Sequence, residues 1–220
     1  MSKPFIPLRI RAYLQTGIIS DQFLPLDGVL YYHACRRELG AQSSTKPGES
    51  NVRESYGVSL PLLKCNRDSE AWFYACSFAQ WPEGTITDKE SYSKRFRLKY
   101  SDLIDFQGKR GKIYGSRGRY KSYHIEVYSR HALYVDWYVC GNRENLEKLL
   151  PFCTHLGKKT SQGWGQVLRW EIEETRQDWS IRGPDNKLMR AVPSKKHPFL
   201  YGIRPSYWNP KHQFTCLMPE

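Results

Sequence analysis

At 220 residues, with 40% hydrophobic and 14% aromatic side chains, the chain has the length of one domain with insertions and enough apolar mass for a packed core, which excludes an intrinsically disordered class. Lys and Arg exceed Asp and Glu by a net +12, so polyanionic partners are expected, nucleic acid before an anionic membrane surface. No run of about 18 apolar residues occurs and Met1–Pro7 lacks the apolar stretch of a secretory signal, so a cytoplasmic protein without membrane partners is expected.

In chain order, residues 7–14 alternate Leu8, Ile10, Ala12 and Leu14 with Arg9, Arg11 and Tyr13, the pattern of a half-buried strand. Residues 26–39 read as a helix, with Asp27 as N-cap and Val29, Leu30, His33, Ala34 and Arg37 on one side. Residues 40–51 are polar and turn-rich, hence a loop. Residues 71–81 are aromatic and apolar, a buried strand. Residues 82–121 show no long periodicity and read as an insertion with a short strand at 95–100. Residues 122–128 and 132–140 both alternate, and the short link at 129–131 predicts a hairpin between them. Asn142 caps a helix running to Leu156, interrupted by Pro151. A glycine loop and a final strand at 166–172 follow. The order is β-α-β, insertion, β-β-α-β.

The positive charge is local. Residues 94–130 carry net +8 and residues 182–212 net +6, leaving the remainder slightly acidic. Residues 106–125 hold no acid. Lys109, Arg110, Lys112, Arg117, Arg119 and Lys121 lie there, interleaved with Gly108, Gly111, Gly115 and Gly118 and with Tyr114, Tyr120 and Tyr123. Such a segment can follow a phosphate backbone and stack on unpaired bases. The second cluster, Lys195, Lys196, Arg204 and Lys211, is a candidate contact to duplex DNA. The six cysteines are at least 11 residues apart, too far for the paired spacing of a structural zinc site, so free thiols and no metal are expected.

The segment 156–167 reads L-G-K-K-T-S-Q-G-W-G-Q-V. Gly163 is followed by Trp164 rather than Lys-Ser/Thr, and the loop joins helix to strand, so it is neither a Walker A loop nor a dinucleotide fingerprint. Gly157, Gly163 and Gly165 allow close backbone approach, while Lys158, Lys159, Thr160, Ser161 and Gln162 supply donors for a polyanion, with Trp164 beside them.

This loop, after a helix and before the last strand, resembles the G-loop of the RAMP superfamily, the ferredoxin-fold RNA-binding proteins of CRISPR systems. Residues 24–30, L-P-L-D-G-V-L, look like the start of the first helix in several RAMPs. With the basic insertion and the tail G-I-R-P-S-Y-W-N-P at 202–210, the chain is most similar to the type IV effector subunit that binds the 5′ handle of the CRISPR RNA. The resemblance implies an α+β, ferredoxin-like (RRM/RAMP) βαββαβ domain over residues 1–174, with a basic thumb at about 82–121 and an irregular basic extension at 175–220.

It further implies a non-catalytic subunit that grips the 5′ handle through 157–165, presses a thumb on the guide, and caps one end of a ribonucleoprotein used against foreign DNA. Implied partners are the CRISPR RNA, a repeated backbone subunit, a large subunit and target double-stranded DNA, with no cofactor. Two alternatives stay open. One is a metal-independent guide-processing ribonuclease using His33, beside Tyr31 and Tyr32, as general acid/base; His124 and His131 are weaker candidates. The other is a reader of the duplex motif flanking the target.

Overall fold

The structure, a computed structural model, describes residues 4–39, 58–104, 114–117 and 120–219. In chain order its elements are β1 Ile6–Leu14, β2 Ile18–Ile19, α1 Leu26–Leu39, β3 Lys64–Cys65, β4 Phe73–Tyr74, β5 Ile86–Lys94, β6 Tyr123–His131, β7 Tyr134–Gly141, α2 Arg143–Leu149, β8 Val167–Glu174, β9 Val192–Pro193, β10 Phe199–Gly202 and β11 Gln213–Leu217. The fold is α+β, mostly strand with few helices.

The central sheet has the order β7-β1-β8, antiparallel throughout. Alternation along β1 puts Leu8, Ile10 and Ala12 on one face, where all three are fully buried. Ile10 lies opposite Trp137 and Ile172, and Ala12 opposite Val135 and Trp170. Leu26, Leu30 and Ala34 of α1 and Leu146 and Leu149 of α2 close this core. Each fully buried Leu or Ile contributes about 1.5–3 kcal/mol. On the opposite face Arg11 meets Asp136 through two bonds of 2.7 Å, and Arg9 meets Glu173 at 2.6 Å. Arg169 lies 3.5 Å over the Tyr13 ring and 3.1 Å from Glu171. The three arginines of that face are matched by three carboxylates.

Several sequence expectations need correction. Residues 71–81 are not a ladder strand beyond β4. The segment follows the outer edge of β7 through single bridges, Cys76 to Val139 and Gln80 to Asp136. It is irregular because Phe78 and Ala79 donate their N–H groups away from β7, to the carbonyls of Met189 and Leu24. The predicted hairpin of 122–128 with 132–140 does not form. β6 pairs with β5 and β2 in a separate sheet of order β2-β6-β5, and Ala132 and Leu133 carry the chain from one sheet into the other. The strand expected at 95–100 is a 3-10 turn, Leu98–Leu103; the strand of this region is β5. Asp27 is not a cap: helix α1 starts at Leu26, and Asp27 is fully buried in its first turn. Arg37 is exposed.

Asn142 does cap α2, its side chain accepting from the Asn145 N–H at 3.0 Å. The α-helix ends at Leu149 and a 3-10 turn, Leu150–Phe152, absorbs Pro151. The extension 175–220 is not irregular. It holds the sheet β10-β11-β9, and Ala191, Ile203 and Cys216 bury against Phe73 and Phe78 in a second core. Two arginines, Arg190 and Arg204, join it to the rest. Arg190, 1% exposed, donates to the carbonyls of Tyr74, Cys76 (3.0 Å) and Ile203 (2.7 Å).

All six cysteines are free thiols, and burial pushes the Cys153 thiol up to about 12. Among the described residues no helix is long and apolar enough to cross a membrane.

Candidate nucleic-acid interface

The glycine loop between α2 and β8 is shaped by backbone dihedrals that favour glycine. Gly157, Gly163 and Gly165 have φ of 78°, 89° and 72°. A side chain at Gly157 would strike the carbonyl oxygen of Ile19, and one at Gly165 that of Leu156. Both contacts are pairing contacts: the Lys158 N–H donates to Ile19 O, and the Leu156 N–H donates to Gly165 O. Thr16 bolts the far end, donating to Gly163 O at 2.8 Å and accepting from the Gln166 N–H at 2.9 Å. The loop is thus a fixed arch standing on β2 and on the end of β1.

Its crest is polar and open. Thr160, Ser161 and Gln162 form one exposed 3-10 turn. Lys159 enters that turn with φ of 59° and sets its Nζ 4.9 Å over the ring of Tyr92 on β5. Lys158 points the other way and pairs with Asp21 at 2.6 Å, both side chains exposed. Trp164 is half-buried, its ring 5.9 Å from that of His131.

Two hollows flank the loop. One, of about 570 Å³, lies between Gly157–Lys158 and α1 and is lined by Tyr32, His33, Arg36, His155 and Thr160 among others. His33 is half-buried there and packs edge-on against Tyr32 at 5.1 Å; Arg36 donates to the Tyr32 hydroxyl at 3.0 Å. Burial and then the nearby Arg36 charge push the His33 imidazole below its ordinary value. No hydrogen bond from the described residues orients its ring. The other hollow, of about 900 Å³, lies where residues 162–164 approach the junction of β6 and β7.

β5 and β6 form an arm whose strands are exposed for most of their length. Its face toward Lys159 carries Tyr92, Ile125 and Tyr123, with Tyr123 38% exposed. Of the basic thumb, Arg117 and Lys121 are exposed, Arg117 stacking at 4.2 Å on Tyr114, while Tyr120 packs on Phe96 at 5.1 Å. Lys109, Arg110, Lys112 and Arg119 lie outside the described residues.

In the second basic cluster Lys195, Lys196 and Lys211 are exposed. Arg204 is 8% exposed and spends its guanidinium on the carbonyls of Glu70 (2.6 Å) and Trp72 (3.0 Å) while lying 4.6 Å over the Trp72 ring. It is a structural bolt, and burial lowers its pKa from the usual arginine value. His124 meets Ser93 at 2.7 Å on the arm, and His131 meets Ser129 at 3.0 Å. Among the described residues no three His, Cys, Asp or Glu side chains gather as a metal site would require.

Sequence reasoning placed the loop but missed what surrounds it. Asp21, Tyr92, Thr16, Gly17 and His131 reach it from distant positions through pairings that no local pattern reports. Gly17 was readable only afterwards, since a side chain there would strike the His131 ring.

The chain is thus a basic α+β protein with a glycine arch, a projecting arm and a docked C-terminal sheet. The chain belongs to the Csf3 family, described as CRISPR type IV associated protein Csf3, whose model matches residues 6–219. It is therefore a type IV CRISPR-associated subunit. No curated protein matches it.

Proposed function

We infer that the protein is a non-catalytic CRISPR RNA-binding subunit that grips the 5′ handle and caps one end of a type IV ribonucleoprotein acting on foreign DNA. The observation that carries this reading is the glycine arch. It holds two lysines and an exposed Thr-Ser-Gln turn beside an aromatic, exposed arm, an arrangement suited to a bent single-stranded backbone. The central unit is read as a ferredoxin-like domain of the RAMP type. The order β8-β1-β7 with residues 75–80 along the outer edge of β7, and α1 and α2 on one face, supports that reading. The arm is the thumb, working toward a repeated backbone subunit, and the complex is cytoplasmic. Lys195, Lys196 and Lys211 remain available for duplex DNA, and Arg204 leaves that set.

Processing of the guide is left to a separate enzyme. His33 shares its hollow with His155 and Lys158, which is what favours a ribonuclease, yet its ring is unoriented and partly covered. Incubation of repeat RNA with the pure protein in EDTA should yield no specific cleavage; cleavage abolished by His33→Ala would establish the ribonuclease instead.

The binding test is a salt titration with CRISPR RNA carrying an intact or scrambled 5′ handle. Lys158→Ala/Lys159→Ala should reduce the logarithmic salt slope by up to ~2 phosphate contacts. Asp21→Asn, which releases Lys158, should strengthen binding at low salt. An unchanged slope in the double variant removes these lysines from the phosphate site, and equal affinity for both handles removes handle recognition.

A further inference from the structure

The 900 Å³ hollow at the Trp164 end of the arch differs in chemistry from the one at α1. Its walls come from residues 14–17 at the end of β1, residues 82–85 before β5, residues 131–134 and residues 162–164. The lining contains no Lys or Arg and a single acid, Glu83, so phosphate has no counter-charge inside it. Flat rings it does have. Trp164 and His131 meet at 70°, and Tyr134, which carries the Arg11 guanidinium 3.7 Å over its ring, completes the wall. Leu133, 81% exposed, forms an apolar lip.

Two carboxamides also stand here. Gln15 and Gln162 line the hollow, both exposed, and their carboxamides make no hydrogen bond among the described residues. Thr16 between them is different, since its hydroxyl is used twice in holding the arch. A primary amide offers a donor and an acceptor side by side, the pair that matches the edge of a nucleobase. Three residues from Gln162, Lys159 can hold a phosphate while the hollow holds none.

We propose that this hollow seats one unpaired nucleobase of the bound RNA, stacked on Trp164 and read at its edge by Gln15 and Gln162. The proposal rests on the RNA-binding reading above and names what that reading leaves open, the site that distinguishes bases. An apolar side chain from a neighbouring subunit would use the rings and Leu133 but would leave both carboxamides idle, which favours the base.

The experiment uses the full chain and single-stranded RNA octamers of adenosine, cytidine or uridine, plus an abasic octamer with the same ribose-phosphate backbone. Wild-type protein should bind the best base octamer at least about tenfold more tightly than the abasic one. Gln15→Ala/Gln162→Ala, both exposed positions, should compress the ranking among the three bases. A 4-thiouridine octamer should cross-link under near-ultraviolet light to Trp164, His131 or Tyr134. Cross-links confined to the Tyr32–His33 hollow or to the arm, or an unaltered ranking in the double variant, overturns the base site while leaving RNA binding intact. Absence of salt-dependent binding to every octamer overturns the RNA reading itself, and the base site with it.

Discussion

At the scale of single residues, the arch separates two glycines that a sequence motif treats alike. Gly163 and Gly165 both have positive φ, but Gly163 has open space where a Cβ would stand and Gly165 faces the carbonyl of Leu156. Gly163→Ala should therefore cost only the left-handed backbone strain, about 1 kcal/mol, whereas Gly165→Ala adds a clash in a paired segment and should cost clearly more, about 2–3 kcal/mol. Denaturant midpoints of the two variants decide it; equal losses would mean that the pairing of Leu156 with Gly165 yields freely. Two histidines give a pH signature. Burial lowers the pKa of His33 and of His212 from 6.5, so the folded state binds these protons less readily than the unfolded chain. Their contribution is neutral above that value, and stability is lost as pH falls through it toward the depressed folded pKa. His33→Gln/His212→Gln should flatten the fall in melting temperature on mild acidification. A fall as steep as that of the wild type would assign it to other groups.

At the scale of elements, what was legible depended on whether an element buries one face. β1, β7 and β8 did, and Leu8, Ile10 and Ala12 or Val135, Trp137 and Val139 announced them. β5 was not legible, because Thr87, Asp88, Lys89, Glu90, Ser91 and Ser93 leave no apolar alternation in a strand exposed on both faces. β6 was legible as a strand but not as to its partner: period two reports a face, and pairing with β5 is a long-range choice. The glycine loop was recognisable from its residues, but its neighbours Tyr92 and Asp21 were not, since Lys159 and Lys158 meet them only once the arm and β2 are in place. An arm of this kind is separable. Lys94 and Tyr123 are directly opposed, so Asn-Gly can replace residues 95–122 as a two-residue turn. That removes net +7 and, among the described residues, no member of either core. The shortened protein should melt within a few degrees of wild type and bind RNA with a shallower salt slope. Loss of folding would show that the arm is part of the core, and an unchanged slope would show that it does not touch phosphate.

At the scale of the whole molecule, a buried carboxylate in α1 ties the segment between β10 and β11 to the central core. Asp27 in the first turn of α1 is fully buried; its Oδ1 accepts from the Tyr207 hydroxyl at 2.6 Å and from the Gly28 N–H at 2.9 Å, and its Oδ2 has no partner among the described residues. Burial pushes the Asp27 carboxyl above its ordinary value, opposed by the nearby Arg190 charge and by the Tyr207 bond. Tyr207→Phe removes one of the two donors to a fully buried carboxylate and leaves it only the Gly28 N–H, so it should cost about 2–3 kcal/mol near neutrality, more than an average lost hydrogen bond. The sign of its pH dependence is fixed. A folded pKa above the unfolded 3.8 means that the fold is penalised at neutral pH and recovers as acid protonates Asp27. Without the Tyr207 bond that pKa rises further, so the deficit of the variant relative to wild type should shrink in mild acid. Asp27→Asn/Tyr207→Phe should recover part of the loss at neutral pH, because no carboxylate is then left buried short of a donor. A Tyr207→Phe deficit that is small, or that stays constant between neutral and mildly acidic pH in urea titrations, would mean that the two sheets are held together by the apolar contacts of Phe73, Phe78 and Ile203 rather than through this carboxylate.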